Sequence, residues 1–232
     1  MNVKTVMLIF LTFVLSADLM AQADMQETVN LIKSNLAASA ANIKKYEWIE
    51  TITAFYKGEQ KSKKQNQCYY AVDGKLTKVE TGGSTEPSKT PGGIRGRIVE
   101  NKVDDISTYI TKAVDKIHAY LPPDGNKIQQ IYASGGVSIG VLEPGKKFRL
   151  DFPNYLEEGD LLSVSIDTEH KLILALAVKT SVDTPSDKVN FDIGYNALPD
   201  GTQYAGITTL DAKAKEVKIT IENSGFKKGA GQ

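Results

Sequence analysis

The sequence predicts an α+β fold in which a curved antiparallel sheet is covered by N-terminal and mid-chain helices. Two observations predict it. Two long stretches carry apolar residues every three or four positions, the spacing of a helix that packs against a surface. Four stretches nearer the C-terminus alternate apolar and polar residues, which is typical of antiparallel strands with one buried face. A sheet with one apolar face needs a cover, and the helices provide it.

The first 23 residues have the layout of a secretory signal peptide. "MNVK" supplies an early positive charge, "TVMLIFLTFVL" an apolar core, and residues 21–23 (AQA) a cleavage site. The apolar run is too short for an ordinary membrane-spanning helix, and no later segment is apolar enough to cross a bilayer. We expect cleavage near Ala23 and export of residues 24–232 to the periplasm as one domain without a transmembrane segment. The alternative is an uncleaved N-terminal anchor.

Composition limits the partners and the source of stability. The chain has 28 Lys and Arg against 28 Asp and Glu, so it lacks the net positive charge of a nucleic-acid binder, and we expect no nucleic-acid partner. Its single cysteine, Cys68, cannot form an internal disulfide, so stability must come from a packed core. Because Cys68 lies in a strand-like run, we expect a half-buried structural thiol.

The N-terminal part predicts one helix followed by strands. The helix carries an apolar stripe made of Val29, Ile32, Leu36, Ala40 and Ile43. The stretch "YEWIETITAFYKGEQ" is rich in aromatic and β-branched residues and predicts a long strand. "KGEQKSKKQ" predicts a charged turn, and Asp73-Gly74 predicts the tight turn of a hairpin.

The middle of the chain predicts a loop and a helical insertion. Residues 82–97 are rich in Gly, Pro and Ser without periodicity, which indicates a flexible loop. Residues from about 101 to 135 follow as two helices, the second ending at Gly135-Gly136. The stripe of the first consists of Val103, Ile106, Ile110, Val114 and Ile117, and Pro122-Pro123 stop it.

The C-terminal part predicts about six antiparallel strands with short connections. Four of them place apolar residues on one face: Phe148, Leu150, Phe152; Leu162, Val164, Ile166; Val189, Phe191, Ile193, Tyr195; and Val217, Ile219, Ile221. "HKLILALAVKTSV" carries apolar residues at both odd and even positions, so both of its faces can be buried, which favours a central strand.

The stretch "GVSIG" matches G-x-S-x-G, the pattern of the nucleophile elbow in serine hydrolases, with Ser138 as nucleophile. The elbow needs a strand before its serine and a helix after it, whereas here a helix precedes and a strand-like piece follows. His170 comes after Ser138 in the required order but lies in a turn. A polar position on a strand is therefore the favoured interpretation of Ser138, and we expect no enzymatic activity.

No motif indicates a cofactor or a metal. "GGIRGR" at residues 92–97 lacks the lysine and hydroxyl of a phosphate-binding loop. His118 and His170 are far apart and show no metal-ligand spacing. We expect neither a cofactor nor a bound metal ion.

The apolar face of the predicted sheet is the candidate ligand-binding surface. Its aromatic residues could line a site for an apolar ligand or form the core beneath the helices, and the pattern leaves both interpretations open. The candidate ligand-binding residues are Trp48, Ile52, Tyr70, Leu150, Phe152, Ile166, Phe191 and Tyr195.

Two resemblances add to these patterns. Segments such as "YEWIETITAFYKGE", "YLPPDGNKIQQ" and "RLDFPNYLEEGDLLSVSID" make the chain similar to a family of exported bacterial proteins of undescribed function. The order of elements, ending in "FDIGYNALPDGTQY", resembles the periplasmic lipoprotein-carrier (LolA/LolB-like) fold. That resemblance implies an unclosed β-barrel, covered by helices, that encloses a cavity for acyl chains. The long loop at 82–97 departs from that family.

The leading functional hypothesis is a non-enzymatic periplasmic protein that binds a lipid or a lipoprotein acyl chain between sheet and helices. The alternative is an envelope module, with a filled core, that recognises a protein partner or senses stress through its loops or a free sheet edge. A serine hydrolase that uses Ser138 ranks third.

Overall fold

The computed structural model describes residue 27, residues 30–85 and residues 94–229, with the side chains of residues 85 and 94–103 excepted. The predicted signal peptide, residues 1–23, lies outside the described residues. Within the described ranges, no helix combines the length and the apolarity needed to span a membrane.

The described residues form three α-helices, two short 3-10 helices (Ile43–Lys45 and Lys213–Lys215) and ten strands. The helices are α1 (30–42), α2 (Ile94–His118) and α3 (Gly125–Ala133). The strands are β1 (Tyr46–Tyr56), β2 (Glu59–Tyr70), β3 (Leu76–Thr85), β4 (Ser138–Glu143), β5 (Lys147–Pro153), β6 (Leu161–Asp167), β7 (Leu172–Ser181), β8 (Lys188–Ala197), β9 (Gln203–Ala212) and β10 (Val217–Lys228). The prediction of an α+β fold is confirmed.

All ten strands form one antiparallel sheet in the order β3-β2-β1-β10-β9-β8-β7-β6-β5-β4. The seven strands β4 to β10 follow one another as a meander, one strand more than the sequence predicts. Strand β10 then pairs with β1, with Ile221 opposite Ile52, and joins the N-terminal hairpin to the meander. The sheet is not closed, and β3 and β4 are its edges.

The hairpin around Asp73-Gly74 is confirmed: β2 ends at Tyr70, β3 begins at Leu76, and Gly74 has the positive φ that the turn requires. The predicted charged turn is shorter than expected, since only Lys57 and Gly58 turn and β2 already begins at Glu59. The polar residues of this stretch belong to a strand because both β1 and β3 supply backbone partners.

The predicted loop at 82–97 is also shorter in the structure. Residues 82–85 continue β3 opposite Ser62–Gln65, and α2 begins at Ile94. Residues 86–93 lie outside the described residues. Glycines in a strand or at a helix start carry no periodic signal, so composition alone could not place either boundary.

Apolar side chains from the predicted strand faces form the core beneath the helices. Leu162, Val178 and Val189 are fully buried, together with Ile117 of α2. In the register, Phe152 lies opposite Leu162. The predicted alternation of buried and polar positions is therefore the pattern that builds the core.

The helical stripes differ from the prediction by one position in places. Ala40 is exposed whereas Ser39 is buried, because the Ser39 hydroxyl accepts a 2.9 Å hydrogen bond from Gln203 N–H. In α2, Val114 is exposed, and Tyr109 and Ala113 occupy the buried face. Serine and tyrosine carry hydroxyl groups, so the search for apolar residues at helical spacing did not select Ser39 or Tyr109.

Hydrogen bonds fasten the helices to the sheet and its loops. The Asn35 amide donates to the Lys171 carbonyl at 2.9 Å. The Tyr109 hydroxyl of α2 donates to Asp187 Oδ1 at 2.8 Å, in the turn between β7 and β8. These bonds connect α1 and α2 to opposite ends of β7 and hold the helices over the centre of the meander.

Candidate ligand cavity

An apolar cavity of about 500 Å³ lies between the sheet and the helices. Sites for one small ligand commonly enclose roughly 300–1,000 Å³ and are lined mainly by apolar side chains with a few polar groups. The lining residues are Ile32, Lys33, Leu36, Leu121, Pro122, Pro123, Ile128, Leu150, Phe152, Val164, Ile166, Ile173, Leu176, Ile193 and Tyr195.

The sheet supplies the floor of the cavity as a row of facing side chains. Leu150 lies opposite Val164, Val164 opposite Leu176, and Leu176 opposite Ile193. Residues that are opposite in an antiparallel sheet point to the same face. One apolar residue from each of β5 to β8 therefore reaches the cavity at the same level.

Helices α1 and α3 and the segment between α2 and α3 supply the roof. Ile32 and Leu36 come from one face of α1, at the four-residue spacing that aligns side chains along a helix. Leu121, Pro122 and Pro123 follow α2 and reach the cavity from above, with a cis Leu121–Pro122 peptide bond.

Helix α3 contributes Ile128 and is capped at its start. The Asp124 carboxylate accepts hydrogen bonds from the backbone N–H groups of Asn126 and Lys127. The backbone N–H of Asp124 donates to the Tyr155 hydroxyl at 2.7 Å. Since Tyr155 is fully buried beneath the roof, this bond fixes the start of α3 relative to the sheet.

Two polar side chains reach the otherwise apolar lining. Lys33 is an exposed residue of α1 at the rim of the cavity. Tyr195 is half-buried on β8, and burial raises the pKa of its hydroxyl. The cavity can therefore hold an apolar body and offer hydrogen-bond donors to a polar end.

Half of the ligand-binding residues predicted from sequence line this cavity, namely Leu150, Phe152, Ile166 and Tyr195. Phe191 is not among the lining residues. It packs against the core on the neighbouring row, opposite Val178.

Trp48, Ile52 and Tyr70 lie in another part of the sheet. Ile52 belongs to the same row as Ile193 but is three strands away, roughly 14 Å at the usual strand spacing. Trp48 stacks on Phe226 with ring centroids 5.6 Å apart and contacts Tyr70 at 6.0 Å. Its indole N–H donates to Asn223, so these aromatic residues form a satisfied structural cluster.

Several lining residues were absent from the predicted set. Ile32, Leu36, Val164 and Ile193 belonged to apolar stripes found in the sequence, but periodicity does not tell a cavity wall from a filled core. Pro122 and Pro123 were interpreted only as a helix stop, and Ile128, Ile173, Leu176 and Lys33 carried no signal that could have selected them.

Ser138 and His170 are far apart. Ser138 is exposed at the start of the edge strand β4, opposite Asp151, whereas Lys147 at the other end of β5 lies opposite Asp167. His170 follows Asp167 and contacts its carboxylate at 3.0 Å. The serine and the imidazole are thus separated by four residues along β5, roughly 13 Å, and by two strand spacings across the sheet, roughly 10 Å.

Across residues 30–84 and 104–229, whose side chains the structure describes, no group of three or more His, Cys, Asp or Glu side chains could hold a metal ion. His118 is exposed near the end of α2, and His170 lies in the turn between β6 and β7.

No family model matches the chain, and no curated protein matches it. Among solved structures, the chain is similar to a DUF1329 family protein from Desulfovibrio piger, with a TM-score of 0.32 and 8% sequence identity, over 87% of this chain and 94% of that chain. It is also similar to MucB, solved in complex with MucA(peri), with a TM-score of 0.19 and 8% identity, over 85% of this chain and 99% of that chain. At these TM-scores, function has to be argued from this chain's own residues.

Proposed function

We propose that this protein is an exported, non-enzymatic protein that binds an apolar ligand, a lipid or a lipoprotein acyl chain, between sheet and helices. The observation that carries the proposal is the cavity of about 500 Å³ with a nearly continuous apolar lining. The element order, similar to that of lipoprotein carriers, and the signal-peptide layout of residues 1–23 agree with this role.

Burial of an alkyl chain provides the driving force. Each methylene removed from water contributes about 0.8 kcal/mol. Leu150, Leu176 and Ile193 already face the cavity from regular strands, so binding requires little reordering of the floor. A preformed apolar site of this kind favours a hydrocarbon chain over a polar metabolite.

The absence of a catalytic role is part of the proposal. The separation of Ser138 from His170 supports it, since a serine nucleophile needs its base within hydrogen-bond distance. Ser138→Ala should leave any hydrolysis of p-nitrophenyl butyrate by the purified protein unchanged. Loss of a measurable activity in this variant would restore the hydrolase hypothesis.

Native mass spectrometry of protein purified from the periplasm tests the binding proposal. We expect a population with the added mass of one lipid, which disappears after extraction with organic solvent and returns on incubation with lipid. A protein that stays free of lipid under all these conditions would contradict the proposal.

A variant that fills the cavity adds a structural control. Val164→Trp places a large ring in the floor, and we expect it to abolish lipid binding while circular dichroism and the urea midpoint show that the protein is folded. Ile207→Trp is the matched control. Ile207 is 46% exposed, and its neighbour Thr208 lies on the row of the cavity floor. Because successive side chains of a strand point to opposite faces, Ile207 points away from the cavity. Equal lipid binding by both variants would place the ligand elsewhere.

The second candidate is recognition of a protein partner through the free edge of the sheet. Strand β4 exposes Ile139, Val141 and Leu142, which are 49%, 60% and 51% accessible. An added strand could pair with this edge and cover these side chains. Val141→Lys should then abolish capture of a partner without changing lipid binding.

A further inference from the structure

Lys33 is the one charged side chain among the described residues that line the cavity. Its neighbours in the lining, Ile32 and Leu36, are apolar, as is the row of the floor. No ion pair or hydrogen bond joins Lys33 to any other described residue. Two lysines of α2 differ in this respect, since Lys112 pairs with Asp183 and Lys116 pairs with Glu157. The ammonium group is therefore available to a ligand.

The ammonium group lies beside the start of α3. A Cβ atom on Gly125 would lie 2.5 Å from Lys33 Nζ, so the lysine side chain crosses the first residue of that helix in the space left by the missing side chain. Asp124, the acidic residue next to Gly125, directs its carboxylate to the N–H groups of Asn126 and Lys127 and forms no ion pair with Lys33. Among the described residues, none forms an ion pair that would neutralise this positive charge.

The apolar lining and this charge together describe an amphiphile. A chain seated on Leu150, Leu176 and Ile193 would have its polar end at the rim, where Lys33 stands between α1 and α3. A carboxylate or phosphate there would form a charge-assisted hydrogen bond with the ammonium group, which is stronger than a bond between neutral groups. A cationic headgroup would instead meet repulsion from Lys33.

We propose that the ligand is a single-chain amphiphile with an anionic headgroup, a carboxylate or a phosphate, whose charge pairs with Lys33. This inference rests on the proposed function. The volume of about 500 Å³ lies in the lower half of the range of roughly 300–1,000 Å³ that holds one small ligand, so it suits one alkyl chain.

Displacement of N-phenyl-1-naphthylamine, a neutral apolar fluorophore, tests the inference. The purified full-length protein is loaded with the fluorophore at pH 7.5 and titrated with four ligands of equal chain length: dodecanoate, dodecyl phosphate, 1-dodecanol and dodecyltrimethylammonium. We expect at least one of the two anionic ligands to bind about tenfold more tightly than dodecanol, and dodecyltrimethylammonium to bind most weakly. A preference between the two anions identifies the headgroup as carboxylate or phosphate.

Two variants locate the preference. Lys33→Gln should remove the tenfold advantage of the anion over dodecanol, and Lys33→Arg should retain it. Lys146→Gln, which removes one exposed positive charge from the β4–β5 turn, is the matched control and should behave as the wild type.

The outcomes separate this inference from the proposed function. Equal affinity for dodecanoate, dodecyl phosphate and dodecanol, or an anion preference that survives in Lys33→Gln, overturns the role of Lys33 but leaves an apolar binding site. Failure of all four ligands and of the fluorophore to bind overturns the proposed function, and the inference with it.

Discussion

The hydroxyl of Tyr120 donates a 2.6 Å hydrogen bond to Oδ2 of Asp160, and both side chains are buried. The same carboxylate oxygen accepts the backbone N–H groups of Leu156 and Glu157. Tyr120 directly precedes the segment Leu121–Pro123, which forms part of the roof of the cavity. This bond therefore fixes the roof to the loop between β5 and β6.

Removal of the Tyr120 hydroxyl should destabilise the protein. In Tyr120→Phe one bond to the buried Asp160 carboxylate is lost, and we expect a decrease of about 1–3 kcal/mol in the free energy of unfolding, measured by urea denaturation. Tyr132→Phe removes a hydroxyl that has no hydrogen-bond partner among the described residues and should change it little. Equal stability of Tyr120→Phe and wild type would mean that water replaces the hydroxyl without cost.

Two buried tyrosines should limit stability at alkaline pH. Burial, followed by the hydrogen bonds to Asp187 and Asp160, raises the pKa of Tyr109 and of Tyr120 well above the ordinary value of 10.0. Above pH 10 the unfolded chain therefore releases protons that the folded chain retains. Stability should be unchanged below pH 10 and should fall as the pH rises above it.

The urea midpoint between pH 8 and pH 11, compared with tyrosinate absorbance at 295 nm, measures this effect. We expect at least Tyr109 and Tyr120 to ionise only when the protein unfolds, and the double variant Tyr109→Phe/Tyr120→Phe to have a flatter stability profile. Ionisation of all ten tyrosines near pH 10 in the folded protein would refute the assignment.

The hydrogen bond between Tyr46 and Asp200 should affect stability at acid pH. The Tyr46 hydroxyl donates a 2.6 Å hydrogen bond to Asp200 Oδ2, and this bond, together with bonds from Thr202, lowers the pKa of Asp200 to about 2. Between this value and the ordinary pKa of about 3.9, the unfolded chain binds a proton that the folded chain does not. The contribution is present above about pH 4 and is lost as the pH falls to about 2.

Tyr46→Phe should reduce the decline of the urea midpoint between pH 5 and pH 2. Tyr69→Phe, at an exposed position of β2, serves as control and should follow the wild-type curve. Identical slopes for Tyr46→Phe and wild type would show that Asp200 is not held in its charged form by this bond.

The single cysteine should be unreactive in the folded protein. The sequence predicted a half-buried thiol, but Cys68 is fully buried, 0% exposed, and burial followed by the nearby Glu50 carboxylate raises the pKa of its thiol. Reaction with 5,5′-dithiobis(2-nitrobenzoate) at pH 8 requires local opening, and we expect it to be on the order of 100-fold slower or more than in urea. Rapid reaction without denaturant would contradict this burial.

Local patterns predicted the individual elements well because burial on one face of a strand leaves an alternation in the sequence. Phe152 and Leu162 were placed on apolar faces and are buried in the core. The pairing of β1 with β10, which sets Ile52 opposite Ile221, is a contact between distant parts of the chain and leaves no local signal.

The candidate site was harder to predict than the fold. Trp48 looked like a ligand-binding aromatic residue, yet its partner Phe226 lies 178 positions away in the chain, so only the tertiary structure reveals the stacked pair. Lys33 sits within an amphipathic helix where a lysine is ordinary. Its role at the cavity depends on the approach of Gly125, which periodicity cannot show.

The proposed function places an alkyl chain in the cavity between sheet and helices. Photo-crosslinking with a diazirine-bearing fatty acid, followed by peptide mass spectrometry, identifies the residues that contact the bound chain. We expect modification within residues 150–152, 164–166, 173–176 and 193–195, and loss of this modification in Val164→Trp. Modification confined to the edge strand β4, or spread over the opposite face around Ile207, would contradict it.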